Sequence, residues 1–170
     1  KLRFFPVNGG SSVLNRTVHE PEILKYGYKL LRAMNWYGFA DLDFIVDPRD
    51  GMPKVMEVNP RLPTTLRISL AAGMDFPRML VNLAMGEEIP TSTGYRLDVY
   101  LRHLPMDVLW FLKSPERFRA SPGFFNFFGP NLYDQIMCLN DPGPMVGFCL
   151  DNLVSLLDRD SRKARYSRGW

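Results

Sequence analysis

A chain of 170 residues, 46% hydrophobic and 23% charged, can bury one real core but not two large ones, and its composition excludes a disordered or fibrous protein. The net charge of +3 is concentrated near the end, where Arg159, Arg162, Lys163, Arg165 and Arg168 outnumber Asp158 and Asp160. The body is therefore close to neutral, which argues against a nucleic-acid surface and makes residues 159–170 a solvated basic tail.

Two cysteines, Cys138 and Cys149, lack paired spacing, which argues against a disulfide framework or a zinc site. No apolar run reaches the roughly 18 residues of a membrane span, so a cytoplasmic location without a membrane partner is expected. The sequence opens on Lys1 with no signal peptide, and it is expected to be a fragment entering in mid-domain.

Residues 2–7 form an apolar run bounded by Pro6 and Asn8-Gly9-Gly10, which predicts a short strand entering a loop. Backbone N–H groups of the loop 8–12 suit a phosphate or carboxylate, or the loop is a plain flexible turn. Residues 21–36 predict an amphipathic helix, with Pro21 in its first turn, Ile23, Leu24, Gly27, Leu30, Leu31 and Met34 at helical spacing, and Gly38 as its stop. His19, just ahead, suits a cap or surface position better than a phosphate contact.

Residues 39–61 carry the chemistry. Ala40, Leu42, Phe44 and Val46 alternate with Phe39, Asp41, Asp43 and Ile45, and Val55, Glu57 and Asn59 are expected to share a face of a second strand. Pro48-Arg49-Asp50-Gly51 supplies the turn of a hairpin. Closure about Asp50 places Asp43 opposite Glu57 and Asp41 opposite Asn59. Opposed carboxylates about 5 Å apart repel by roughly 3 kcal/mol at an effective dielectric near 20. A hard divalent cation removes that conflict, and Mg²⁺ suits two carboxylates and an amide. Arg61 then extends towards the same anions. A solvated acidic strand face fits the spacing equally well.

Beyond Arg61, Pro63-Thr64-Thr65 predicts the N-cap of a helix ended by Gly73. Asp75-Phe76-Pro77 opens another, with Met79, Leu80, Leu83 and Met85 as packing positions and Gly86 as its end. Strict alternation over residues 95–103 predicts a half-buried antiparallel strand. Residues 105–112 predict a short helix, the four phenylalanines of 121–130 a hydrophobic plug, and residues 150–157 a helix.

Asp-Phe-Ile at residues 43–45, followed a dozen or so residues later by Glu-Val-Asn-Pro-Arg at 57–61, resembles the metal-binding end of the ATP-grasp superfamily, in particular its carbamoyl-phosphate-synthase-like, large-subunit-like branch. The resemblance runs from about Leu2 to Ile89. It implies that Asp43, Glu57 and Asn59 hold Mg²⁺ or Mn²⁺ against the ATP phosphates, and that Arg61 binds phosphate and assists the transferring phosphoryl group. Asp43 stands where several branches carry Glu or Gln. Gly9, Gly10, Ser11, Thr64 and Thr65 are implied as substrate contacts, although a capping role suits the threonines better.

The implied fold is α+β, an antiparallel sheet flanked by helices with a small mixed C-terminal extension. Residues 1–90 are expected to be the C-terminal part of the ATP-grasp domain, 91–158 an extension packed on the same sheet, and 159–170 the basic tail. The implied activity is an ATP-dependent ligase that joins a small carboxylate to an amine or other nucleophile through an acylphosphate. The family's adenine-gripping strands precede this region, so the partner is expected to be the missing N-terminal half, in the same parent chain or a separate subunit. The fragment alone is expected to be inactive, and a homo-oligomer is compatible with it. The alternatives are a catalytically inert ATP-grasp-like binding or assembly module and, last, nucleic-acid binding through the tail.

Overall fold

The computed structural model describes residues 1–89 and 94–157. Its elements in chain order are β1 (Arg3–Phe5), β2 (Ser11–Arg16), α1 (Pro21–Ala33), β3 (Asp41–Val46), β4 (Pro53–Asn59), α2 (Leu66–Ala72), α3 (Phe76–Met85), β5 (Tyr100–Arg102), α4 (Leu104–Lys113), β6 (Leu132–Asp134) and α5 (Gly143–Leu157). This is the expected α+β class. Two compact units form, residues 1–15 with the described residues from Tyr100 onward, and Arg16–Val99. The division falls at Asn15/Arg16 and Val99/Tyr100. The tail 159–170 lies outside the described residues, and no described helix is long and apolar enough to cross a membrane.

The first unit is built on a four-stranded sheet in the order β1-β2-β5-β6, with β1 antiparallel to β2 and β5 parallel to β6. Val13, Leu14, Leu101, Trp110 and Phe124 are its buried apolar residues. No strand is expected from the sequence over β2. Val13, Leu14 and Asn15 are buried in succession, so both faces of the strand are covered and the alternating signature vanishes.

The nine-residue antiparallel strand expected over 95–103 shrinks to three residues, antiparallel on its β2 side, where the His103 N–H donates to Val13 O and the Thr17 N–H to Val99 O, and parallel to β6 on the other. Asp98 takes φ 54°, a left-handed conformation that breaks an extended run. The Arg96 N–H donates instead to Ala72 O at 2.8 Å. The helix expected at 150 begins seven residues earlier, at Gly143.

A buried charge cluster ties this unit together. Asp107 Oδ2 lies 2.7 Å from both Arg3 Nη1 and Arg102 Nε, and all three side chains are 5% exposed or less. Two guanidiniums against one carboxylate leave an excess positive charge in a dry site. The Trp110 ring faces Arg3 at 4.4 Å, and the Phe124 and Phe127 rings face Arg102 at 4.6 and 4.9 Å; these ring faces stabilise the excess. Arg3 also donates to Pro122 O, and Arg102 donates to Phe124 O at 2.9 Å. Burial pushes the Asp107 carboxyl up from the ordinary carboxylate range, and the two guanidiniums pull against it.

The β1–β2 turn depends on a glycine. A Cβ on Gly10 would stand 2.6 Å from Pro6 Cδ and 2.7 Å from Phe5 O. Gly10→Ala is therefore expected to shift the turn and to lower stability by about 1–3 kcal/mol, read as a fall in the urea midpoint. An unchanged midpoint would mean that the turn has room to move.

His103 caps α4, its Nδ1 accepting from the Met106 N–H at 3.3 Å, with the ring edge-on to Phe148 at 5.7 Å. An imidazole that accepts at Nδ1 is neutral, and burial lowers its pKa below the usual 6.5. The unfolded chain then takes up this proton before the folded one does. This contribution to stability is complete above pH 6.5 and declines as pH falls from there towards the folded value. His103→Gln is expected to flatten that part of the profile, as measured by urea unfolding across a pH series.

In the second unit, α1 lies over one face of the β3–β4 hairpin. Gly27 makes the approach close, since a Cβ there would meet the Phe44 ring and Leu42 Cδ2 at 3.9–4.0 Å. The helix stops at Ala33, with Asn35 at φ 48°, before the expected stop at Gly38. Asp75 caps α3 by accepting the Arg78 N–H at 3.0 Å, and Phe76 meets Phe39 edge-on at 5.2 Å. Gly73 and Gly86 end α2 and α3 in left-handed conformations, as expected.

Candidate functional site

The hairpin tip explains how the strands are brought into register. Gly51, at φ 66°, donates its N–H to Asp47 O at 2.8 Å. The Asp47 carboxylate is buried and accepts from Arg49 and Lys54, each at 2.6 Å on Oδ2. Hydrogen bonds from Arg49, then Lys54, hold it well below the usual carboxylate range. The turn is thus stapled by charge on both of its arms.

From this tip the strands pair antiparallel, with Asp43 opposite Glu57 and Asp41 opposite Asn59. That is the register expected from closure about Asp50. A bulge intervenes between the site and the tip, where Phe44 pairs with Val55 and Met56 is the extra residue. Val55 consequently joins the Phe44 face, which corrects the expectation that it shares a face with Glu57 and Asn59. The bulge keeps Asp43 and Glu57 paired even though the loop-side register has slipped by one.

The two faces have opposite chemistry. Leu42 and Phe44 point to α1, and alternation puts Asp41, Asp43, Glu57 and Asn59 on the other side. Asp43 and Asn59 are half-buried and Glu57 is exposed. The Asn59 amide donates to Glu57 Oε1 at 2.8 Å, which fixes the Glu57 carboxylate and turns the Asn59 carbonyl oxygen outward from that bond. Asp41 shares this face although it is outside the expected ligand set. Its even spacing from Asp43 is the signal that places it on the same face.

The hard-oxygen donors of Asp43, Glu57 and Asn59 suit Mg²⁺ or Mn²⁺ in type, with water and phosphate oxygens completing the shell. Among the described residues, no three His, Cys, Asp or Glu side chains converge to hold a metal.

Arg61 is exposed, two residues past the end of β4. Thr64 is exposed and Thr65 occupies the N-cap of α2, but its side chain makes no capping bond. The capping role expected for its hydroxyl is therefore not seen. Gly9, Gly10 and Ser11 lie in the β1–β2 turn and at the start of β2, in the other unit, and Gly9 gives its N–H to Pro6 O at 3.1 Å. His19 is exposed.

No curated protein and no solved structure shows significant similarity to the chain. A family model described as "ATP-grasp in the biosynthetic pathway with Ter operon" matches residues 7–104, more than half of the sequence, and spans the whole hairpin. An acidic hairpin face backed by a helix, in a stretch matched by that model, leads to one conclusion: the chain belongs to this ATP-grasp family.

Proposed function

We propose that the acidic face of β3–β4 is the metal and ATP-phosphate site of an ATP-dependent ligase that joins a carboxylate to an amine or other nucleophile through an acylphosphate, in the manner of the carbamoyl-phosphate-synthase-like branch. The observation that carries this reading is the pairing of Asp43 with Glu57 across the hairpin, inside the matched region. Family membership supports ATP binding and ligase-type chemistry, and the donor set supports the metal.

Asp43, Glu57 and the Asn59 carbonyl would hold Mg²⁺ or Mn²⁺, which when bound neutralises and orients the β- and γ-phosphates. The hydrogen bond from Asn59 orders Glu57 in advance, so less side-chain entropy is lost on binding. Arg61 offers a planar fork to the γ-phosphoryl oxygens as that group passes from ATP to the substrate carboxylate. ADP leaves, and the nucleophile displaces phosphate from the acylphosphate while losing its proton. Thr64 and Thr65, just beyond Arg61 in the chain, would meet the acceptor, a role that rests on the family resemblance alone. The substrate role of Gly9, Gly10 and Ser11 rests on the family resemblance alone.

A second reading is a catalytically inert ATP-grasp-like binding or assembly module. Mn²⁺ binding measured by electron paramagnetic resonance, with and without ADP, separates the two. Saturable binding strengthened by ADP and weakened about a hundredfold or more in Asp43→Ala and Glu57→Ala is expected. A folded wild type that takes up no Mn²⁺ even with ADP would mean either that the site needs the missing N-terminal half to assemble, read by adding that half, or that the module is inert; variants that bind as well as the wild type would leave the inert module.

A further inference from the structure

Of the four phenylalanines in residues 121–130 expected to form a hydrophobic plug, only Phe124 is buried. Its ring stacks on Phe111 at 4.3 Å. On that base Phe118 and Phe125 stand edge-on to Phe111, each at 5.4 Å, and Phe127 meets Phe125 at 6.3 Å. Phe118, Phe125 and Phe128 are 66–97% exposed and Phe127 is 42% exposed. At about 200 Å² for a whole aromatic side chain, these four present roughly 500 Å² of apolar surface, the size of the largest patch on an ordinary monomer. All of them lie in the first unit.

The surroundings of the patch are positive from two sides. Residues 113–119, which carry Phe118, hold Lys113, Arg117 and Arg119 against Glu116, and the Arg117 guanidinium lies 5.4 Å from the Phe118 ring. Behind the rings, the Arg3–Asp107–Arg102 cluster carries one net positive charge, with Arg102 at 4.6 and 4.9 Å from the Phe124 and Phe127 rings. The complement of such a surface is apolar and anionic at once. A second copy of this chain would set the same basic residues against each other. Single-stranded nucleic acid stacks on open ring faces, whereas Phe118 and Phe125 stand at 87° and 71° to Phe111. A protein interface carries about one hydrogen bond per 100–200 Å², yet residues 120–130 offer only Ser121 and Asn126 as hydrogen-bonding side chains, and Arg102 takes the Phe124 and Asn126 carbonyls. Acyl chains need no hydrogen bond, and anionic headgroups attract the Arg and Lys side chains.

We infer that Phe118, Phe125, Phe127 and Phe128 form a peripheral membrane contact, seated in the acyl boundary of an anionic lipid surface whose headgroups meet Lys113, Arg117 and Arg119. This departs from the expectation of no membrane partner, which rested on the lack of a spanning segment. Interfacial binding needs no span, since it draws on buried apolar area and on attraction to anionic lipid. The inference stands apart from the ATP site and does not depend on it.

Flotation of the full chain with phosphatidylcholine vesicles, and with mixed phosphatidylcholine–phosphatidylglycerol vesicles, tests this. Expected is partition to the mixed vesicles, weakened by salt and lowered about tenfold or more by Phe128→Ser, which removes the most exposed of the four rings and no charge, and so leaves folding intact. The double variant Arg117→Gln, Arg119→Gln is expected to lower partition by about tenfold or more. Absence of the folded chain from mixed vesicles at low salt would overturn the inference. So would partition unchanged by Phe128→Ser, which would place the contact elsewhere in the chain. A wild-type dimer that Phe128→Ser dissociates would make the patch an interface between copies, and retention on a single-stranded oligonucleotide in place of vesicles, lost in that variant, would make it a nucleic-acid platform; either result overturns the membrane assignment.

Discussion

Asp107→Asn is expected to lower the stability of the chain by about 3–5 kcal/mol, the cost of removing one partner from a buried ion pair. The substitution keeps the side chain's shape and deletes its charge, so packing is not the variable. Both Arg3 and Arg102 reach the same oxygen, Oδ2, at 2.7 Å, while Oδ1 is buried without a hydrogen-bond partner among the described residues. All of the anchoring therefore runs through one atom. Without the carboxylate, two guanidiniums face each other in a dry site, and the rings of Trp110, Phe124 and Phe127 offset only part of that cost, at roughly 2 kcal/mol for a desolvated contact. The triple variant Arg3→Met, Arg102→Met, Asp107→Leu removes all three charges and is expected to recover part of the loss. The remainder reflects the carbonyls of Pro122 and Phe124, which lose their donors. Urea midpoints at neutral pH decide the matter: if Asp107→Asn unfolds at the wild-type midpoint, the cluster does not hold the unit together.

How much of this was legible beforehand depends on the range of the interaction. The hairpin register was readable because its determinants are local: a Gly turn, Asp47 and Asp50 within reach of Lys54, and acids at even spacing. Its bulge was not, since an extra residue such as Met56 leaves no mark in a pattern of period two. Strand β2 was hidden by burial on both faces, and β5 was overpredicted because the alternation through Tyr95 and Leu97 continues past a left-handed Asp98. The buried cluster ties Arg3 to Asp107, 104 positions away, where Arg102 also reaches the same carboxylate. Its only local trace is a lone charge within each of two apolar runs, Arg3 in residues 2–7 and Asp107 in residues 105–112. A buried charge of that kind demands a partner, but nothing local names it.

The acidic face itself leads to the second large effect, in which stability and function move in opposite directions. Glu57→Gln is expected to weaken Mn²⁺ and nucleotide binding by about a hundredfold or more, because a neutral amide replaces one of only two carboxylates in the donor set. The same change removes the repulsion between Asp43 and Glu57 in the metal-free protein. Exposure of Glu57 to water reduces that repulsion well below the roughly 3 kcal/mol of a shielded pair, so the gain is about 1 kcal/mol or less. The Gln side chain can still accept from the Asn59 amide, so the face stays ordered and loss of binding cannot be ascribed to misfolding. Urea unfolding without metal and Mn²⁺ titration with ADP, run on the same two proteins, read the two effects separately. A variant that is both as weakly binding as predicted and less stable than wild type would mean that Glu57 is part of the fold's support, and the metal assignment would pass to Asp41 and Asp43.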